Sequence, residues 1–378
     1  MSGTAAFDGA PERGTINFSV GQPSADLLPL KLLGSAGERF FGDAAPFDLN
    51  YGQRQGDARF RAALADFLGE AAGSPVDPDS LMLTGGISQA LDFVCSRLTR
   101  PGDVVFTEEP SYPYAFQIFR DHGLDVVGVP MDGAGMDVDA LERQVAVRRP
   151  KLVYTIPAFH NPTGQLMARE RRDRLVALSR EHGFLVVADE VYQHLYHGDP
   201  PPPAFGTLAG AGHVLSLGSF SKILAPGLRL GWIQAAPGLM KGLLSSGVLV
   251  SGGNFNHFAS HVVRKLLESG ELAAFVASLR VSYAERAQAM DSALRKHLAG
   301  IANWRKPGGG YFFWLELPEG ADCASLEAAA RAAGTGFLPG NACSSAGRLG
   351  HCLRLSFAHY SVPDIHEGVG RLKRAFTR

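Results

Sequence analysis

Several large classes of protein are excluded by what this chain lacks. Its four cysteines (Cys95, Cys323, Cys343 and Cys352) are scattered over 378 residues without a C-x-x-C pair. Neither a disulfide framework nor a zinc ribbon is suggested, and reduced thiols in a cytoplasm fit best. No run of eighteen uncharged apolar residues occurs, so no membrane span is expected. The most apolar stretch, residues 214–250, is interrupted by Lys222, Arg229 and Lys241. With a formal net charge of −1 there is no basic excess to attract nucleic acid and no acidic tail. Residues 1–14 carry Asp8, Glu12 and Arg13 and no apolar segment, unlike a signal peptide. A Gly-x-Gly-x-x-Gly turn after the first strand is missing, which argues against a nucleotide-binding dehydrogenase. The Gly-x-Ser-x-Gly elbow of a hydrolase is missing too.

What is present is an alternation. Short apolar or β-branched runs at 81–84, 104–108, 125–129, 152–156, 184–188, 214–217 and 228–234 read as strands. Amphipathic stretches such as 91–98 and 168–182 separate most of them. This predicts an α/β fold: a large domain with a mostly parallel seven-stranded sheet covered by helices on both faces. After Gly270, Leu272, Phe275, Leu279, Tyr283, Met290 and Leu294 recur at helical spacing and predict one long linking helix. Strands at 310–317 and 352–357 follow, then a helix with the stripe Ile365, Val369, Leu372 and Phe376. The expected division is 1–45 as an N-terminal segment joining a small α+β domain, 46–270 as the large domain, and 271–378 as linking helix and small domain.

In such sheets ligands bind beyond the carboxyl ends of the strands. Five segments stand there. Ser219-Phe220-Ser221-Lys222 follows the sixth strand, with Arg229 seven residues on. A desolvated lysine offers a neutral amine for a Schiff base, and two hydroxyls with an arginine suit a phosphate. Taken alone, Lys222 reads more readily as a solvated loop residue. Gly85-Gly86-Ile87-Ser88 opens a helix, whose free N–H groups favour an anion; a plain tight turn is the alternative. Asp189 ends the apolar run 184–188, where a carboxylate is costly unless it meets a cation such as a pyridinium N–H, or caps a helix. His160-Asn161-Pro162-Thr163-Gly164 and Glu109-Pro110-Ser111-Tyr112 are polar turns after two further strands. Tyr112 can stack on a planar ring. His160 either faces a substrate or packs. His257 and His261 stand four apart, the spacing of a metal pair, but no third ligand is evident and no metal is expected.

Together these segments resemble the fold-type I pyridoxal-5′-phosphate (PLP) enzymes of the class I/II aminotransferase family, over roughly residues 16–357. The motifs that carry this are Asn161-Pro162-Thr163-Gly164, and Ser219-Phe220-Ser221-Lys222 with Arg229, in order and spacing with Asp189 and Tyr192. The opening Ile16-Asn17-Phe18-Ser19-Val20-Gly21-Gln22-Pro23, Gly340 and Leu353-Arg354-Leu355-Ser356-Phe357 look like the 2-aminoadipate/kynurenine aminotransferase branch. The resemblance implies PLP bound to Lys222, which also moves the proton at the substrate Cα. It implies Asp189 on the pyridine nitrogen, Asn161 and Tyr192 on the ring oxygen, and Tyr112 stacked on the ring. The phosphate would lie against Gly86, Ile87, Ser88, Ser219, Ser221 and Arg229. Ile87 has only its backbone N–H to give. Arg354 would fork the substrate α-carboxylate, Gly21 and Asn161 would line the substrate, and Tyr51 would reach in from the partner of a homodimer.

The implied activity is transamination between an L-amino acid and a 2-oxo acid. The motifs leave open elimination, γ-replacement, racemisation or oxidation with the same cofactor. A ligand-sensing relative of transcription regulators is a further alternative, for which a DNA-binding domain ahead of residue 16 would be expected; no nucleic-acid or membrane partner is predicted.

Overall fold

In the computed structural model, which describes residues 14–377, the seven predicted strands assemble into one twisted sheet. The signal-peptide reading rests on residues that lie almost wholly outside the described ones. The strands are β1 (Leu81–Thr84), β2 (Val104–Glu109), β3 (Asp125–Asp132), β4 (Leu152–Thr155), β5 (Leu185–Asp189), β6 (Val214–Ser219) and β7 (Gly231–Ala235). Their order is β1-β7-β6-β5-β4-β2-β3. Neighbours from β6 to β3 run parallel, and β7 runs antiparallel between β6 and β1. A two-residue strand, Gly135–Met136, turns back on β3 and adds an eighth. That hairpin turns where Asp132 accepts a hydrogen bond from the Ala134 amide (2.8 Å).

Alternation along β5 explains the layering. Val187 packs with Leu91, Phe119 and Leu217 under one helical layer. Val186 and Ala188 pack with Leu141, Leu175 and Leu178 under the other. Each fully buried valine or leucine contributes roughly 1.5–3 kcal/mol, so a one-residue slip of this strand would forfeit both layers.

The seventh strand begins later than the pattern suggests. Pro226–Leu228 forms a 3-10 turn and Arg229 adopts φ 47°, so pairing starts at Gly231. The long helix spans Glu271–Leu298, with Leu272, Leu279, Tyr283, Met290 and Leu294 buried. Beyond it, β8 (Phe312–Glu316) and β9 (Cys352–Ser356) pair antiparallel in a four-stranded sheet. Helix Val362–Phe376 buries Ile365, Val369 and Leu372. Residues near the start of the chain join this second sheet region: Ile16 pairs with Thr335, and the Ser356 amide donates to the Phe18 carbonyl (2.8 Å). Among the described residues no helix is long and apolar enough to cross a membrane.

Candidate active site

β1, β2, β4, β5 and β6 all point their carboxyl ends to one edge of the sheet. The five polar segments are therefore gathered there by topology. Lys222, just past β6, is half-buried, and its Nζ donates to the Gly21 carbonyl (2.8 Å). Burial, then the nearby Arg354 and Arg229 charges, lowers its pKa to about 8. The neutral amine needed for attack on a carbonyl is thus within reach of ordinary pH.

Asp189 is 4% exposed. Its Oδ2 accepts from the Tyr154 hydroxyl (2.8 Å) and its Oδ1 from the Val191 amide (3.2 Å). Burial raises its pKa to about 6 against those two hydrogen bonds, and Glu190 and Glu108 add to the rise. The adjacent Glu190 is a useful comparison. Its carboxylate accepts from Ser216 Oγ (2.5 Å) and the Phe205 amide (2.8 Å) and lies near the Arg172 charge. Among the described residues neither carboxylate forms an ion pair: Glu190 lies near the Arg172 charge, and Asp189 near that of Lys222.

Arg354, on β9, reaches across from the small sheet. Nη1 donates to Asn161 Oδ1 (2.8 Å), Nη2 to the Ser19 carbonyl (2.7 Å), and the guanidinium lies 4.1 Å over the Phe312 ring. Its Nε is buried without a hydrogen-bond partner. Of five N–H donors only two are bonded, which leaves a fork for a carboxylate. Gly21 borders this fork: a Cβ there would lie 3.2 Å from Phe312 and 3.8 Å from Arg354 Nη2. Tyr192 is buried beside Tyr311 and Phe312, with ring centroids 5.3 and 5.8 Å away. Tyr112 caps the helix Pro113–Asp121 and is half-buried; burial and the Asp189 charge raise its phenol pKa.

An anion cradle lies alongside. Gly86 (φ 92°) precedes the helix Ile87–Leu98, whose first N–H groups have no intrahelical partner. A Cβ on Gly86 would be strained at φ 92° and would sit 3.2 Å from Arg229 Nη2, crowding the arginine out of the cradle. Ser88, exposed in the free chain, is the second residue of that helix. Ser219 Oγ lies 2.9 Å from Ser221 Oγ and accepts from the Ser221 amide (3.1 Å). An amine, a buried carboxylate without a cation, and an arginine-lined helix N-terminus fit the aldehyde, ring nitrogen and phosphate of PLP.

Tyr51 is not brought to this cluster. It is 81% exposed, in a loop after Pro46–Leu49, beside the exposed Phe47 and Leu49. His160 packs: it is 1% exposed, with Nδ1 2.9 Å from Thr163 Oγ1 and Nε2 3.7 Å from Glu108 Oε2. His257 and His261 place their Nε2 atoms 3.2 Å apart. Among the described residues no group of three or more His, Cys, Asp or Glu side chains could hold a metal.

Sequence reasoning missed three contributors and the role of a fourth, Glu109. Tyr154 bonds Asp189, and Phe312 underlies Arg354. Tyr311 lies 5.5 Å from Lys222 Nζ. Glu109 clamps the turn before Tyr112 to the small-sheet loop, accepting from Ser344 Oγ and from the Ser345 amide (2.9 Å) and hydroxyl (2.7 Å).

Comparison with known proteins decides the family. The model for aminotransferase class I and II matches residues 13–372. The chain belongs to that family. It is 34% identical to aromatic-amino-acid aminotransferase 1 of Thermococcus litoralis over 94% of this chain and 87% of that one. Its structure is similar to kynurenine aminotransferase from Pyrococcus horikoshii, solved in complex with PMP: TM-score 0.91, 31% identity, 97% of this chain and 91% of the other. It is also similar to LysN, an α-aminoadipate aminotransferase from Thermus thermophilus complexed with N-(5′-phosphopyridoxyl)-L-leucine: TM-score 0.87, 34% identity, 97% and 92% covered. This aminotransferase has the PLP fold type I architecture, uses PLP, and transfers an amino group from an L-amino acid to a 2-oxo acid.

Proposed function

We propose that transamination in this enzyme runs on Lys222, Asp189 and Arg354, with the remaining site residues holding the cofactor around them. The observation that carries this is the convergence of a half-buried amine, a buried carboxylate without a cation and a half-used guanidinium at one sheet edge. When bound, PLP supplies an electron sink for the bond broken at the substrate Cα and a carrier for the amino group. Lys222 Nζ would hold the cofactor through its aldehyde and is the amine placed to move a proton at the substrate Cα. Asp189 keeps the ring nitrogen protonated. Asn161 and Tyr192 would hold the ring oxygen, and Tyr112 would pack on the ring. Gly86, Ile87, Ser88, Ser219, Ser221 and Arg229 hold the phosphate. Arg354 takes the substrate carboxylate in a bidentate fork beside Gly21.

The active enzyme in this reading is a homodimer. Phe41, Phe47, Leu49, Tyr51 and Phe258 are 62, 77, 63, 81 and 49% exposed, large apolar side chains of the kind that mark an interaction surface. Phe41 and Phe258 touch (5.9 Å), and Gly52 packs on His257, which ties the Tyr51 loop to the same surface. Burying it against a second copy would carry Tyr51 into the neighbour's site. The lobes divide at 45/46 and 270/271, with the segment 1–45, of which 1–13 lie outside the described residues, assigned to the small domain. Four free, buried cysteines support a cytoplasmic setting.

The deciding experiment is borohydride reduction of the PLP-loaded enzyme followed by peptide mapping, with a donor screen against 2-oxoglutarate. The screen includes aromatic amino acids, kynurenine and 2-aminoadipate, the substrates in the relatives' names. Label on the Lys222 peptide and amino transfer without ammonia release are expected. Label on another lysine would refute the site.

A further inference from the structure

Asp189 is the group on which the electron sink depends, and its orientation is set by a residue outside the motifs. Tyr154 sits at the third position of β4, fully buried, in register with Val187 on β5. Asp189 is two residues beyond Val187, so its side chain emerges on the same face, diagonal to Tyr154. The Tyr154 ring is fixed edge-on to Phe119 (5.6 Å, 74°), which leaves its hydroxyl little room to turn from Asp189 Oδ2.

We propose that Tyr154 is a positioning residue for the reaction: its hydroxyl, with the Val191 amide on the other oxygen, keeps the Asp189 carboxylate ionised and aimed at the cofactor ring nitrogen. This rests on the reading of Asp189 as the ring's partner. A phenol hydroxyl has one proton to give, and giving it to a carboxylate stabilises the charged form. Beside these two hydrogen bonds and the nearby Lys222 charge, burial and the carboxylates of Glu190 beside it and Glu108 on β2 work against that charge. Tyr112, half-buried above, is uncharged at ordinary pH. Without Tyr154, one carboxylate oxygen would lie in an apolar layer with no donor, and Asp189 would take up a proton and lose its hold on the ring N–H.

The rival account is that Tyr154 merely fills the core and found an acceptor. A double-mutant cycle on PLP-loaded protein separates the two: wild type, Tyr154→Phe, Asp189→Asn, and both together. Tyr154→Phe removes one atom and keeps the ring packing. It should lower kcat about tenfold, the scale of one hydrogen bond to a charged group, with KM for the amino donor nearly unchanged. PLP affinity, titrated into apoenzyme, should fall, and the pH profile of the near-visible absorbance should shift. In the Asp189→Asn background the same substitution should cost nothing further. Wild-type kcat and pH profile in Tyr154→Phe, or an equal loss in the Asn background, would overturn the proposal while leaving Asp189 in its role. If Asp189→Asn alone behaved like wild type, the underlying reading would fail, and the proposal with it.

Discussion

At the carboxyl edge of the large sheet, Asp189 and Arg354 are 4 and 6% exposed, and Lys222 beside them is half-buried. On the surface around Tyr51, Phe47, Leu49 and Tyr51 are more than 60% exposed. Each region inverts the usual partition of charge outside and carbon inside. The fold itself satisfies other buried charges well: Glu190 has its hydroxyl, amide and nearby arginine. Asp189 has a hydroxyl and an amide of its own, but among the described residues it forms no ion pair, and the nearby Lys222 is itself pushed toward its neutral form. The first inversion suits a small molecule, and the second suits the partner copy proposed above. Substitutions in the first region should damage chemistry and spare assembly. Those in the second should damage assembly and, through Tyr51, the neighbour's chemistry.

The comparison breaks most sharply at Lys222. Lys222→Ala should lose roughly 10²–10⁴-fold in turnover from the proton-transfer role alone, and no cofactor should be fixed by borohydride. Its mass in solution should stay that of wild type. Asp189→Asn comes next, with a loss of about 10²-fold in kcat and little in KM, since the carboxylate acts on charge that develops during the reaction. Steady-state kinetics at saturating donor would show it, and turnover near wild type would make Asp189 structural. Arg354→Ala should cut kcat/KM about 10–100-fold for every α-amino acid, the worth of a charge-assisted fork. A loss confined to dicarboxylic donors would mean that Arg354 reads the distal carboxylate instead.

The second region is sharpened by mixing. Lys222→Ala and Tyr51→Ala homodimers should each be nearly inactive. After subunit exchange, a heterodimer has one doubly damaged site and one site with both residues intact, and should recover at most half of wild-type activity. With heterodimers confirmed by mass, absence of recovery would place both residues of a site on one chain.

Much of the first region could be read from the chain because each strand ends in its own signature, and a parallel sheet delivers strand ends to one edge. Lys222, Asp189, Asn161 and the Gly86 turn were legible for that reason. Tyr154 was not. It lies inside an apolar run, and its meaning depends on β4 lying next to β5, a strand order that periodicity does not encode. The direction of His160 was open for a similar reason, since Glu108 comes from another strand. The start of β7 was misjudged because Leu228 continues the apolar pattern while Arg229 adopts a left-handed conformation that ends it. Around Tyr51 only the resemblance marked a residue: the exposed Phe41, Phe47, Leu49 and Phe258 have no pattern of their own, because the fold alone brings Phe41 beside Phe258.

The smallest effect concerns the apoenzyme's stability, where the two regions should differ in their response to pH. Asp189 has an ordinary pKa of 3.8 and a folded value of about 6. Between those values the folded chain binds more proton than the unfolded one, so its stability falls as pH rises. The shift corresponds to about 3 kcal/mol, fully present below pH ~4 and lost as pH passes 6. Lys222 runs the other way, from 10.5 to about 8: stability from its neutral form is present above pH ~10.5 and lost as pH falls through 8. Cofactor-free protein therefore carries both penalties between pH 6 and 8. Urea unfolding of apo wild type and apo Asp189→Asn from pH 4 to 7 isolates the first. The variant cannot ionise at that position, so it should gain on wild type by about 3 kcal/mol across the range. Apo Phe47→Ser, altered only at the surface around Tyr51, should track wild type at a constant offset. A flat difference between wild type and Asp189→Asn would mean that the carboxylate is no worse solvated in the fold than in the open chain, and the contrast between the two regions would lose its energetic basis.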